Sequence, residues 1–229
     1  MRILAIDTAL PYASVCVMDS GESGILAVER VQMARGHAEA LMPIIQTVMG
    51  AVGGGFDSLD RIGVSVGPGS FTGIRVGLSA ARAIGLARKI PVVGVSTLAA
   101  FAAPIIGEQG PDVVASSIDA RHGNLYLQVF DRGGRTLVTP RVVKIRDAVR
   151  SLGAGPVKLV GNGAPLMAIE AWSTGLVAEI VGEADAPDIA FVARLGLLAD
   201  PAYAPARPLY LKAPDAKVAV AADSLRASV

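Results

Sequence analysis

Hydrophobic and polar residues alternate along the first part of the chain. Residues 2–8 are rich in β-forming side chains, residues 12–19 alternate between apolar and polar positions, and residues 24–32 follow the same rule. Leu10-Pro11 separates the first two segments with a turn signal. The pattern predicts three short strands joined as an antiparallel meander.

A helical period replaces this alternation further along. Apolar residues three and four apart predict a helix over residues 37–50 and a longer one over residues 71–89. Between and after them, short apolar runs predict strands at 61–66 and 91–95, and a further helix is expected over 97–106. Strands and helices that alternate in this way indicate an α/β protein.

The second half of the chain repeats the opening pattern. Ile6-Asp7 and Ile118-Asp119 each end an apolar strand, and in both cases an alternating strand ends on another Asp 12 residues later. The predicted strands of the second half are 113–119 and 124–131. Two lobes of similar construction, 1–108 and a trimmed 109–212, are the simplest explanation; two hairpins that are alike by chance are the alternative. Residues 213–229 are small and polar, which predicts a flexible tail.

Composition narrows the class of protein. Apolar residues make up 52% of the chain and charged residues 18%, so apolar surface is expected to be hidden in the core or against a partner. A net charge of +1 and an aromatic content of 4% do not support independent binding of nucleic acid. The apolar start is too short for a signal peptide, and prolines and glycines interrupt the uncharged stretch 90–107, so we expect a cytoplasmic protein with no membrane span.

The turn at residues 67–70, Gly-Pro-Gly-Ser, leads from a strand into the long helix. Backbone N–H groups and the positive end of the helix dipole at such a junction suit a phosphate group. Asp at a strand end can hold a phosphate-bound metal ion. The candidate cofactor-binding residues are therefore Asp7, Thr8, Gly67, Gly69 and Ser70. A tight turn that needs only glycine and a helix cap explains the same residues.

The long helix carries small residues every fourth position, on one face. Because glycine destabilises a helix by about 1 kcal/mol relative to alanine, this stripe predicts close approach of another helix, either within the chain or from a partner. The helix at 37–50 is apolar on more than one side. The predicted partner interface comprises His37, Leu41, Ile45, Gly73, Ile74, Gly77, Leu78, Ala81 and Gly85.

Known catalytic and metal-binding patterns are missing from the sequence. His37 and His122 are the only histidines and lie 85 residues apart, Cys16 is the only cysteine, and no Ser is set in a Gly-x-Ser-x-Gly elbow together with its catalytic partners. No catalytic residue and no metal ligand is predicted.

Several segments together resemble the TsaB (YeaZ) family of tRNA threonylcarbamoyladenosine (t6A) biosynthesis. They occur in the family's order, and the resemblance runs from Ile3 to Lys212, nearly the whole chain: ILAIDTA, GHAEALMP, GPGSFTGIRVGLSAARAIG, VSTLAAFA, IDARHGNLY, LVGNGA and PLYLK. The chain differs from the family pattern at Asn124, where an acidic residue is usual, at Lys212, where Arg is usual, and at Ala38, where Ser is usual.

The resemblance implies the actin-like ATPase (ASKHA) fold, with two RNase H-like lobes and mixed sheets. It also implies a non-catalytic subunit that binds and supports TsaD, the subunit that transfers threonylcarbamoyl from threonylcarbamoyl-AMP to an adenosine beside the anticodon. The ATPase TsaE would join the complex, tRNA would be contacted only through it, ATP or ADP could bind at the assembled interface, and the chain alone could form a homodimer. The catalytic paralogue has a metal-binding histidine pair in a stretch that corresponds to residues 95–100, which contain no histidine here.

A stand-alone ATPase or kinase of the same fold is the alternative. Such enzymes usually carry an Asp-x-Gly-x-Thr pattern in both lobes, whereas residues 119–123 read Asp-Ala-Arg-His-Gly. The sequence therefore favours the accessory subunit.

Overall fold

The computed structural model describes residues 1–21, 24–109 and 113–212; the predicted tail 213–229 lies outside these ranges. The strands are β1 Arg2–Asp7, β2 Tyr12–Asp19, β3 Gly24–Gln32, β4 Arg61–Gly67, β5 Val92–Ser96, β6 Val113–Asp119, β7 Asn124–Asp131, β8 Thr136–Lys144, β9 Val157–Val160 and β10 Ala178–Gly182. The helices are α1 His37–Gly50, α2 Phe71–Arg88, α3 Thr97–Ala102, α4 Ile145–Arg150, α5 Ala164–Ser173 and α6 Ile189–Leu198, with a 3₁₀ turn at Gly55–Ser58.

The two halves of the chain form two mixed sheets with the same topology. The strand orders are β3-β2-β1-β4-β5 and β8-β7-β6-β9-β10. In each sheet the first three strands are antiparallel and the last two run parallel to the central strand. The predicted α/β class and the internal repeat are confirmed. The second lobe keeps every element, but α4 and α5 have 6 and 10 residues, against 14 and 18 in α1 and α2.

The first two helices of each lobe cover one face of that lobe's own sheet. In α1, Leu41, Ile45 and Val48 recur with helical spacing and are buried with apolar residues of β1 and β2. In the second lobe, Met167 and Ala168 of α5 are buried with residues of β6, β7 and β9. Each sheet therefore has a layer of two helices against one of its faces.

The third helix of each lobe packs on the other lobe's sheet. Helix α6 contacts β1, β2 and β4, whereas α3 contacts β6 and β7, and the two helices touch each other. Gly63 on β4 and Gly196 on α6 allow close approach, since a side chain at either position would come within 3.7 Å of the other's Cα atom. Residues 189–212, which the sequence assigned to the second lobe, thus pack largely on the first.

The glycine stripe of α2 faces β1 and not a partner. A Cβ atom at Gly73 would overlap the Thr8 carbonyl oxygen, and one at Gly77 would lie 2.5 Å from Thr8 Oγ1. The Thr8 hydroxyl itself donates a hydrogen bond of 2.7 Å to the Gly73 carbonyl oxygen. The close approach that the glycines predicted is real, but the neighbour is an extended segment of the same chain.

Most of the predicted interface residues are consequently placed inside the monomer, and their role at a partner interface stays a prediction. The following residues are buried in the monomer: Ile45, Gly73, Ile74, Gly77, Leu78, Ala81 and Gly85. Within the described ranges, none of the helices has both the length and the hydrophobicity that a membrane crossing requires.

A buried acid ends β1. The Asp7 side chain is 1% exposed, opposite Ser14 of β2, and its Oδ1 atom accepts a hydrogen bond of 3.0 Å from the Ala9 N–H. Burial raises the pKa of Asp7 above its ordinary value of 3.8, against the opposing effects of the Ala9 hydrogen bond and the positive charges of Arg30 and His37. Ionisation of Asp7 is therefore less favourable in the folded protein than in the unfolded chain.

Gly77→Leu should destabilise the monomer. The new side chain meets the Thr8 hydroxyl and β1, and overpacking of this kind costs about 1–3 kcal/mol. Ala83→Leu, on the exposed side of the same helix, is the matched control and should leave stability nearly unchanged. Urea unfolding of both variants is the measurement; equal midpoints would show that the stripe is not packed against β1.

Asp7→Asn should become more stabilising as pH rises. The pKa of Asp7 is higher in the folded state, so the unfolded chain loses this proton first, and the free energy of unfolding falls as pH rises from 3.8 through the folded-state pKa. Asparagine removes that loss and keeps an oxygen that accepts from Ala9. Unfolding free energies of both proteins between pH 4 and pH 8 are compared; a constant difference would contradict a raised pKa.

Candidate functional site

A cleft of about 580 Å³ lies between the two lobes. Its walls come from the turns after β1, β6 and β9, the starts of α1 and α2, and the segment Leu209–Lys212. The carboxyl ends of the central strands β1 and β6 both point toward it, which is where ligands bind in α/β sheets. The cleft is therefore the first candidate site.

The wall from the first lobe contains the predicted phosphate-type turn. Ser70 caps α2 as predicted, because its Oγ atom accepts a 3.2 Å hydrogen bond from the Gly73 N–H. The Ser70 N–H, however, donates to the Ala9 carbonyl oxygen at 2.7 Å. Gly69 lacks a side chain because a Cβ atom there would overlap that same carbonyl group. One amide of the turn is thus already engaged within the chain.

The structure separates the five predicted cofactor-binding residues. Gly69 and Ser70 line the cleft, whereas Asp7 and Thr8 are buried beneath it, and Gly67 packs under Ile74 and Leu209 with a left-handed φ of 104°. Nucleotide binding by these residues stays a prediction.

The wall from the second lobe is a left-handed turn. Arg121, His122 and Gly123 have φ values of 65°, 54° and 73° in succession. The side-chain amide of Asn124 donates to the carbonyl oxygens of Arg121 and His122, at 3.2 and 3.1 Å. A carboxylate accepts but cannot donate hydrogen bonds, so the Asn that departs from the family pattern holds this turn in a way that Asp or Glu could not.

The two strand-end acids are not equivalent. Asp7 lies on the α6-covered face of its sheet and is buried, whereas Asp119 lies on the opposite type of face and is exposed. Asp119 Oδ1 accepts from the Arg121 N–H at 2.7 Å, and its own N–H donates to Asn162 Oδ1 at 3.0 Å. The resemblance between Ile6-Asp7 and Ile118-Asp119 therefore does not extend to the direction of the side chains, because successive residues of a strand face opposite ways.

Helices α1 and α2 pack side by side and leave a groove of about 490 Å³ between their outer sides. We call it the α1–α2 groove; it is lined by Ala38, Leu41, Met42, Phe71, Thr72, Arg75, Val76, Ser79 and Ala80. Of the predicted interface residues only Leu41 reaches it. His37 lines the cleft instead, with Nε2 3.3 Å from the Leu10 carbonyl oxygen.

Residues 204–212 form a strap along the first lobe. The Leu209 N–H donates to the Val66 carbonyl oxygen at 2.8 Å, and the Arg82 side chain donates to that of Ala206. At its end, the Tyr210 ring stacks on Phe71 with centroids 4.9 Å apart. Tyr210 therefore joins the cleft, which it lines, to Phe71 of the α1–α2 groove.

The part of the chain that the structure describes contains no candidate metal site. No three His, Cys, Asp or Glu side chains among those residues come together in a way that could hold an ion.

Several known proteins resemble this chain in sequence. The family model for TsaD, the tRNA N6-adenosine threonylcarbamoyltransferase, matches residues 29–190. The tRNA threonylcarbamoyladenosine biosynthesis protein TsaB of Haemophilus influenzae is 32% identical over 174 residues, which cover 71% of this chain and 72% of that protein. TsaB of Escherichia coli is 33% identical over 132 residues, which span 58% of this chain and only 56% of that protein.

A solved structure agrees in fold and in sequence. YeaZ from Pseudomonas aeruginosa superposes with a TM-score of 0.72 at 25% identity, over 92% of this chain and 99% of that one. The two sheets of like topology, with helices on both faces, form the actin-like ATPase fold of two RNase H-like lobes. The chain belongs to the TsaB (YeaZ) family, within the wider group of proteins that the TsaD family model describes.

Proposed function

We propose that this chain is a non-catalytic subunit of the complex that makes threonylcarbamoyladenosine in tRNA, where it binds and supports TsaD. In this proposal TsaD transfers threonylcarbamoyl from threonylcarbamoyl-AMP to the adenosine beside the anticodon. TsaE joins the complex, tRNA is contacted only through it, and the site of action is the cytoplasm.

The observation that carries the proposal is the α1–α2 groove. Six of its nine lining residues are apolar, and Met42 at its rim is 43% exposed. An apolar groove between two helices is a common binding site for helices of a partner. Because the inward sides of α1 and α2 are buried against the sheet, this outward groove is the surface that the two helices have left for docking.

A partner of the same fold suits such a groove. The TsaD family model matches residues 29–190, which include both α1 and α2. Two proteins of one fold can pair these helices about a pseudo-twofold axis, and the result is a four-helix bundle. The same geometry allows a homodimer when TsaD is absent.

The non-catalytic role is supported by the hydrogen bonds of the two strand-end acids. Asp7 is buried and bonded to the Ala9 amide, and the Asp119 carboxylate bonds to the Arg121 amide of its own turn. Residues 95–100, where the paralogue is expected to carry its histidine pair, contain no histidine.

A stand-alone ATPase or kinase is the second candidate, and the cleft is the observation that favours it. Against it, the Ser70 amide is taken by Ala9, and the turn at Arg121–Gly123 lacks the Asp-x-Gly-x-Thr pattern. ATP or ADP at the assembled interface remains compatible with the subunit proposal.

The purified chain alone should neither modify tRNA nor turn over ATP. Threonylcarbamoylation should appear only when the cognate TsaD and the rest of the complex are added, measured as incorporation of labelled threonine into tRNA. Multiple turnovers without TsaD would refute the non-catalytic role, and magnesium-dependent ATP hydrolysis by the chain alone would favour the second candidate.

Met42→Glu should weaken binding of TsaD by about tenfold or more, because it places a charge in an apolar docking surface. Leu86→Glu is the matched control: Leu86 is also an exposed apolar residue of these two helices, but it lies outside the α1–α2 groove. Calorimetric titration of folded proteins with TsaD tests both. Equal affinities for the wild type and Met42→Glu would place the interface elsewhere.

A further inference from the structure

The α1–α2 groove contains a single charged side chain among the described residues that line it. That residue is Arg75, in the second turn of α2, and the other lining residues are apolar or hydroxyl-bearing. Among these lining residues, the guanidinium group carries a positive charge and therefore favours a negatively charged group of the partner.

Arg75 is held in place before any partner arrives. Its guanidinium carbon lies 3.8 Å from the centroid of the Phe71 ring, over its face. Its Nε–H donates to the Tyr210 hydroxyl oxygen at 2.9 Å, and the Phe71 and Tyr210 rings are stacked. A long, flexible side chain is thus held at its guanidinium group by two aromatic residues, one from α2 and one from the strap.

The terminal nitrogens of Arg75 remain available. The hydrogen bond to Tyr210 uses Nε, and within the part of the chain that the structure describes, no acidic side chain pairs with either terminal nitrogen. Two parallel N–H groups of a fixed guanidinium match the two oxygens of a carboxylate. Fixing the group in advance lowers the entropy that a partner must overcome on binding.

We propose that Arg75 is the docking point for a carboxylate of TsaD, and that Tyr210 is the positioning residue that aims it. This inference rests on the proposed function: the partner helix brings apolar side chains into the α1–α2 groove and an Asp or Glu to its Arg75 end. Closure of the groove then removes water from the ion pair, which gives this contact more weight than an exposed pair would have.

The test measures the affinity of the full chain for cognate TsaD at low and high salt. Arg75→Met should weaken binding by about tenfold and should reduce its dependence on salt, because the variant keeps the length of the side chain but loses the charge. Arg75→Glu should weaken it further. Arg88→Met, an arginine of the same helix outside the groove, is the matched control and should bind like the wild type.

Tyr210→Phe separates positioning from packing. It keeps the stacked ring and removes the oxygen that accepts from Arg75, so TsaD affinity should fall several-fold while thermal stability stays unchanged. In the Arg75→Met background the same change should have no further effect, since there is no guanidinium left to aim. Additive losses would contradict the positioning role.

Charge reversal identifies the partner group. Each acidic residue on the first two helices of TsaD is changed to Lys, and one of these variants should restore binding to Arg75→Glu. If Met42→Glu weakens binding but neither Arg75 variant does, the groove is the interface and the carboxylate contact is wrong. If Met42→Glu also has no effect, the proposed docking surface itself fails.

Discussion

The close approach between the end of β1 and the first turns of α2 is the contact on which the first lobe depends. Thr8 and Ala9 bond to the backbone of Gly73 and Ser70, at distances that leave no room for side chains at Gly69, Gly73 and Gly77. This contact fixes the floor of the cleft and commits the inward side of α2 to the sheet. Only the outward side, with Phe71 and Arg75 in its first turns, is then free to form a second surface. The positions of both candidate sites therefore follow from the contact between the end of β1 and the glycine residues at the start of α2.

The sequence predicted the local structure well, because the signals that set it are local. Alternation and turn residues placed β2, β3, β6 and β7 with their observed bounds, and the helical period did the same for α1. Ser70 was recognised as a cap because a side-chain acceptor before an apolar period is a local signal. The repeat of the two lobes was visible for a related reason: it appears in the order of elements and does not require knowledge of what each element touches.

Contacts between distant residues were harder to predict. A period of four residues shows which side of α2 needs close packing, but it does not say whether a helix or an extended segment supplies the contact. Two acids at corresponding strand ends looked alike, yet a shift of one residue sends one into the core and the other to the surface. Tyr210 follows a run of prolines that marks irregular backbone, and nothing in that run indicates that its hydroxyl meets Arg75 on a helix more than a hundred residues earlier.

The exchange of the third helices has a consequence for synthesis on the ribosome. The inner face of the first sheet, with Ile3, Ala5 and Cys16, is covered by α6, which ends at Leu198. A nascent chain that has released only its first hundred residues can pair β1 to β5 but cannot bury that face. The first lobe must therefore remain incomplete until α6 has left the exit tunnel. The interval between pairing of the first sheet and arrival of α6 is when this protein most needs protection from aggregation or from binding a wrong partner.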